Sequence, residues 1–246
     1  MSFKVGFLIV GAQKAGTTAL HEYLKMHSLL GMPECKEVHF FDRDEFFKVE
    51  QIDYDYYHSF FKREKVKLLG EATPSYMFWP ESASRIKQYN RDMKLIVMLR
   101  NPVDRAYSHW NMERSREAES LPFSEAISRE VSRCNEPLSK QHLVYSYVAR
   151  GFYLNQLKRL WSFFPKEQVL VLRYEALREA PVQLLAQVCE FLGVAPLMSV
   201  PSIEANAIAY ESPMIKQDRL RLQQLFEHEI RALEIELAWD CSDWLL

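Results

Sequence analysis

The run Val5-Gly-Phe-Leu-Ile-Val10 leads without a break into Gly11-Ala-Gln-Lys-Ala-Gly-Thr-Thr18, and that junction restricts the chain to few folds. A continuous apolar segment rich in branched residues is the pattern of a strand covered on both faces, as in a parallel sheet. Beyond it, Ala19, Leu20, Tyr23 and Leu24 recur at helical spacing, with Thr17 or Thr18 near the helix start. Strand, glycine loop and helix in this order are typical of an α/β nucleotide site. The expectation is an α/β, P-loop-like three-layer fold with a central, mostly parallel sheet flanked by helices.

The rest of the chain repeats that alternation. Buried strands are predicted at Lys94 to Leu99 and Gln168 to Leu172, with a short fourth at Val66 to Leu69. Asn101 before Pro102 pairs an N-cap with proline at the first helical position, predicting a helix through about Arg116. Further helices are expected at Leu143 to Phe164, Pro181 to Leu192 with Gly193 as its stop, and Lys216 to Leu237. In such a sheet, ligands bind beyond the carboxyl ends of the strands, where the Gly11 loop and Arg100 both fall.

With 246 residues, 48% of them hydrophobic, the chain is long enough for one large core, and a single domain over residues 1–246 is expected. Its 31 basic and 33 acidic residues nearly cancel, so no global field draws it to nucleic acid or anionic lipid. The apolar run near the start is too short for a membrane span and lacks a cleavage signature. Four scattered cysteines, Cys35, Cys134, Cys189 and Cys241, form no CxxC pair, which fits reduced thiols and a cytoplasmic location better than zinc or a disulfide framework.

The loop has the two glycines of GxxxxGK[ST] at the correct spacing, but Thr17 stands where the usual lysine would, and the lysine is at position 14. Backbone N–H groups and the helix start still suit a phosphate. The strand Lys94 to Leu99 ends in Arg100, where a nucleotide hydrolase would carry a magnesium-holding aspartate, so a second anion is expected there and no metal. Ser108, two helical turns beyond the cap, returns to nearly the same face, so Arg100 and Ser108 are paired as a second phosphate site. Arg105 points elsewhere and is read as a surface or ion-pair residue. Two anion sites suit a nucleoside carrying phosphates at both ends; the rival reading is a P-loop kinase or hydrolase using ATP.

These segments, together with Lys36-Glu-Val-His-Phe-Phe41 and Gly70-Glu-Ala-Thr-Pro-Ser-Tyr76, resemble the sulfotransferases that use 3′-phosphoadenosine 5′-phosphosulfate (PAPS), in particular the heparan sulfate sulfotransferases and their bacterial relatives. Similarity continues more weakly through Gly151-Phe-Tyr-Leu-Asn-Gln-Leu157 and Phe191-Leu-Gly193. The resemblance implies that Lys14, Ala15, Gly16, Thr17 and Thr18 hold the 5′-phosphosulfate, and Arg100 and Ser108 the 3′-phosphate. The spent co-substrate would be adenosine 3′,5′-bisphosphate. A basic, glycine-containing segment that many relatives carry late in the chain has no counterpart after Gly193; Lys216, Arg219 and Arg221 are possible substitutes, though a solvated helix face is the plainer reading.

Sulfuryl transfer needs an attacking atom in line with the leaving oxygen, so positioning and charge stabilisation dominate. Lys14 is placed to neutralise the leaving oxygen. The resemblance assigns the general base to Glu37, with His39 as its competitor because imidazole titrates near neutrality. An extended segment would put both side chains on one face. Glu71 is read as a residue that positions the acceptor or as a surface carboxylate, and Tyr76 as acceptor-side or core. Tyr54, Tyr56, Tyr57, Phe60 and Phe61 mark the acceptor side. Ala72 replaces a lysine of some relatives, so the acceptor is left as a small molecule or glycan, and the oligomeric state stays open.

Overall fold

The computed structural model describes residues 4–62, 66–134, 144–197, 201, 210 and 212–246. Five strands, β1 (Phe7–Gly11), β2 (Leu30–Gly31), β3 (Leu68–Ala72), β4 (Lys94–Leu99) and β5 (Val169–Arg173), form one sheet in the order β2-β3-β1-β4-β5. Each neighbouring pair is parallel. β1 and β4 run through the centre of the apolar core, with Phe7 through Val10 and Leu95 through Leu99 wholly buried. This is why both segments read as unbroken hydrophobic runs.

The strand order reverses direction at β1: the chain moves out to β3 on one side and to β4 on the other. Such a switch point opens a crevice beyond the carboxyl ends of the strands. Phe7 lies opposite Gly70 in β3, and its ring covers the glycine so closely that an added Cβ would meet it at 2.2 Å.

The chain divides into two compact units, residues 1–99 with 157–206, and residues 100–156 with 207–246. The first contains the sheet and α1 (Thr17–Lys25), α2 (Tyr54–His58) and α3 (Ser82–Tyr89). The second begins with α4 (Pro102–Ser115), α5 (Phe123–Ser128) and α6 (Glu130–Cys134). α7 (Tyr153–Phe163) follows, then α8 (Tyr174–Glu179) and α9 (Pro181–Leu192) of the first unit, and α10 (Lys216–Leu237) of the second. Among the described residues no helix is long and apolar enough to cross a membrane.

Most boundaries agree with the sequence pattern. α4 starts as its Asn-Pro pair predicts: the Asn101 side-chain oxygen accepts from the Val103 N–H at 2.9 Å. α9 stops at Gly193, whose φ of 74° closes the helix in the left-handed conformation. The helix expected from Leu143 to Phe164 is shorter: a single 3₁₀ turn at Ala149–Gly151 precedes α7, and position 143 lies outside the described residues. The reason is Glu130, whose carboxylate accepts from the N–H groups of Val148 and Ala149 at 2.6 and 2.7 Å and so takes donors a continuing helix would use. The strand expected at Val66 to Leu69 lies later, at Leu68–Ala72, because Lys67 and Leu68 donate their N–H groups to Leu29 while pairing with β1 begins at Gly70.

Candidate functional site

In the first unit the glycine loop leaves β1 at the switch point and enters α1. Ala12 N–H donates to Met98 of β4 at 2.7 Å, and Ala15 N–H closes back on Ala12 at 3.1 Å, so the loop is tied to the carboxyl end of the central strands. Lys14 has φ 68° and Gly16 φ 85°. Left-handed backbone at two positions turns the loop into a concave nest of N–H groups. Gly16 is the N-cap of α1, and no side chain caps that helix start. The donors of the first turn are therefore available to an anion, which the helix dipole also favours. Thr17 is buried and Thr18 half-buried beside them. Gly16 cannot carry a side chain, since a Cβ would lie 2.6 Å from the Tyr174 ring of α8.

The segment Lys36 to Asp42 lies at the carboxyl end of β3. Glu37 N–H donates to the Ala72 carbonyl at 3.0 Å, while Thr73 and Met77 N–H groups donate to Ile9 and Val10 of β1 at 3.1 and 2.8 Å. The loop after β1 and this segment therefore share the carboxyl end of the sheet. The charge of Lys36 also reaches α1: it is among the influences that, after burial itself, hold His21 down at about 4.

Glu37 and His39 do not lie in an extended segment, contrary to the sequence reading; their φ values are 65° and 54°. Two left-handed residues flanking Val38 curl the backbone, and the side chains meet anyway, Glu37 Oε2 lying 3.5 Å from His39 Nε2. Lys36 Nζ donates to the other Glu37 oxygen. His39 Nδ1 contacts Asp42 Oδ2 at 2.7 Å, and Ser75 donates to the same carboxylate oxygen. Burial pushes the Glu37 carboxyl up, but the His39 hydrogen bond and Lys36 outweigh it and bring it to about 2. Burial pushes His39 down, but hydrogen bonds to Asp42 and Glu37 raise it to about 9. At neutral pH this is an ionised carboxylate beside an imidazolium, the Glu37 side chain remaining 36% exposed. Asp42 was missed in the sequence; its place three residues after His39 was the available signal.

Glu71 is not a surface residue. It is fully buried, accepting from Tyr57 at 3.3 Å, Tyr76 at 2.8 Å and Thr73 at 2.7 Å. Burial lifts its carboxyl to about 7 despite those three donors. Tyr76 is a core residue, as the plainer reading held. Of the aromatics expected toward the acceptor, Tyr57 and Phe61 point into the core. Tyr56 is exposed and helps line a cavity of about 200 Å³ with Phe40, Phe46 and Val49, where Glu45 and Asp53 supply carboxylates. Tyr54 lines an adjoining cavity, and Phe60 is half-buried.

In the second unit Arg100 immediately precedes the cap of α4, and its carbonyl accepts from Tyr153 at 2.9 Å. Arg100 and Ser108 are both half-buried. Arg105 is fully buried, correcting its surface reading: its guanidinium donates to the Tyr147 carbonyl, an anchor no local sequence pattern reveals. Arg219 pairs with Asp104 at 2.7 Å and Arg221 donates to Ser128 at 2.9 Å, while Lys216 is exposed.

Comparison with known proteins finds sulfotransferases. The chain is 33% identical over 201 residues to the bifunctional heparan sulfate N-deacetylase/N-sulfotransferase 3 of Mus musculus, covering 77% of this chain and 22% of that protein. It is 30% identical over 197 residues to the mouse heparan sulfate glucosamine 3-O-sulfotransferase 3B1, covering 78% and 47%. The chain thus spans less than half the length of either. A crystal structure of a sulfotransferase from Alicyclobacillus acidocaldarius superposes with a TM-score of 0.85 at 32% identity, over 99% of both chains. With residues 5–212 also matching the family described as sulfotransferase domain, the chain belongs to the sulfotransferase family.

Proposed function

We propose that this chain transfers a sulfuryl group from PAPS to a hydroxyl or amine of a carbohydrate, lipid or small metabolite, releasing adenosine 3′,5′-bisphosphate, and that residues 1–246 act as one sulfotransferase domain. The observation that carries the reading is the uncapped start of α1 behind Lys14, at the same carboxyl end of the sheet as an ionised Glu37. Lys14, Ala15, Gly16, Thr17 and Thr18 bind the 5′-phosphosulfate, and Arg100 and Ser108 the 3′-phosphate. The acceptor oxygen or nitrogen attacks sulfur, the bond from sulfur to the bridging phosphate oxygen breaks, and Lys14 offsets the charge left on that oxygen. Glu37 takes the acceptor's proton.

The electrostatics favour Glu37 over His39 as base. An imidazole raised to about 9 already holds its proton at neutral pH, so His39 donates rather than accepts. A carboxyl held near 2 is always ready to accept, though it is a weak base. In a loose transfer the acceptor proton becomes acidic only as its bond to sulfur forms, which suits such a base. The relatives named for heparan sulfate make carbohydrates the first class to screen. Ala72 in β3, and Glu45 and Asp53 at the cavity, give no added cation for a polyanionic chain. Four free thiols are in keeping with a reducing, cytoplasmic setting.

A crystal structure with adenosine 3′,5′-bisphosphate tests the reading. The expected result is the 5′-phosphate on the N–H groups of α1 beside Lys14 and the 3′-phosphate on Arg100 and Ser108. A nucleotide whose 3′-phosphate meets neither residue overturns it.

A further inference from the structure

We propose that Glu71 is a positioning residue that holds the Glu37–His39 segment in its left-handed conformation by fixing the direction of two buried hydroxyl hydrogen bonds. The inference rests on the reading that Glu37 and His39 serve the transfer reaction, but its geometry stands apart from that reading.

The argument follows the protons. Above about pH 7, where Glu71 is ionised and can only accept, the hydroxyls of Tyr76 and Thr73, at 2.8 and 2.7 Å, must each donate to it. Their lone pairs are then left for other donors. Those donors are the backbone of the segment itself: Phe40 N–H meets the Tyr76 oxygen at 3.0 Å, and His39 N–H meets the Thr73 oxygen at 3.4 Å. An N–H can never accept, so each link fails if the hydroxyl turns its proton toward the N–H, and donation to Glu71 holds that proton away. Two chains of hydrogen bonds, Phe40–Tyr76–Glu71 and His39–Thr73–Glu71, thereby converge on one carboxylate. Tyr57, the third donor, fills the remaining reach of Glu71 Oε1 at 3.3 Å.

This arrangement accounts for an ionisable residue in a buried strand. Glu71 stands opposite Leu8 of β1, fully enclosed, in a place where an apolar residue would pack at no desolvation cost. Non-glycine residues with φ near 60° are strained, and they persist only where their surroundings fix them. The Glu71 network supplies that restraint at His39. Asp42 and Ser75 fix the His39 ring from the other side, and Glu37, held by Lys36, completes its surroundings.

Glu71→Gln is the sharpest test, because the amide nitrogen can only donate, so whichever hydroxyl faces it loses the acceptor that holds its proton away from the backbone N–H. The reporter is the His39 ring, whose titration depends on its place between Asp42 and Glu37 and can be followed by NMR without any sulfuryl donor or acceptor. In the folded variant the His39 midpoint is expected to fall from about 9 toward the ordinary 6.5. Thr73→Val and Tyr76→Phe remove one hydroxyl each without changing charge. They are expected to shift the midpoint in the same direction, and they keep the test open should Glu71→Gln not fold. A His39 midpoint that stays near 9 in folded Glu71→Gln, or in both hydroxyl variants, overturns the proposal. A midpoint that falls supports it, including in a protein for which no sulfuryl transfer is ever found, where only the functional reading would fail.

Discussion

At the scale of single residues, the residues proposed for the chemistry sit where the backbone is least relaxed. Lys14, Glu37 and His39 all have positive φ, a conformation ordinary residues avoid and functional sites retain. Their placement argues for specific roles. Lys14→Ala is expected to lower sulfuryl transfer by about 100-fold or more, the cost of losing one preorganised charge at the leaving oxygen. Glu37→Gln is expected to slow turnover by about 100-fold while leaving the affinity for adenosine 3′,5′-bisphosphate within about twofold. Steady-state kinetics with calorimetric titration separates the two effects, and near-normal turnover in Glu37→Gln would remove its assignment as base. His39 also links stability to pH. Because its folded value is raised from 6.5 to about 9, its contribution is fully present below pH 6.5 and is lost as pH rises through about 9. Urea unfolding across that window should show the decline in the parent and a flatter profile in His39→Asn. The sequence pointed to all three residues but not to their conformation, since left-handed backbone at Glu37 and His39 is imposed by contacts with residues 34 or more positions away.

At the scale of elements, the junction of β1 with α1 does most to define the site. Gly16 both caps α1 in the left-handed conformation and lets the Tyr174 ring approach. Gly16→Ala is expected to destabilise the fold by about 1–3 kcal/mol, read as a lower melting temperature, and to weaken anion binding at the same step. An unchanged melting temperature would show that the loop relaxes freely. Elements with strong local signals were legible: β4, α9 and α10 match the bounds read from the sequence, where apolar runs, Pro181 and Gly193 mark them. β2, with two residues, had no pattern to read, and α3 was missed because its short amphipathic run follows the aromatic stretch after β3 without a capping side chain. The network of Glu71, Thr73 and Tyr76 was illegible for a different reason. Its partners Tyr57, His39 and Phe40 come from separate segments brought together only by the fold.

At the scale of the whole molecule, family and fold are those of a sulfotransferase, with the strand order placing a phosphate-type loop at the switch point of a parallel sheet. Thr17 in place of the usual loop lysine and Arg100 at the end of β4 separate the proposed donor from a magnesium-bound triphosphate. That distinction was legible from two residues, whereas the acceptor was not, because no motif of fixed spacing marks its binding groups. The central claim is therefore about which nucleotide the protein selects. Competitive calorimetric titration of the intact chain with adenosine 3′,5′-bisphosphate and with ATP plus magnesium measures it directly. Binding of the bisphosphate about tenfold tighter or more, lost in Lys14→Ala and in Arg100→Ala, is the predicted result. Tighter binding of ATP with magnesium would contradict the account.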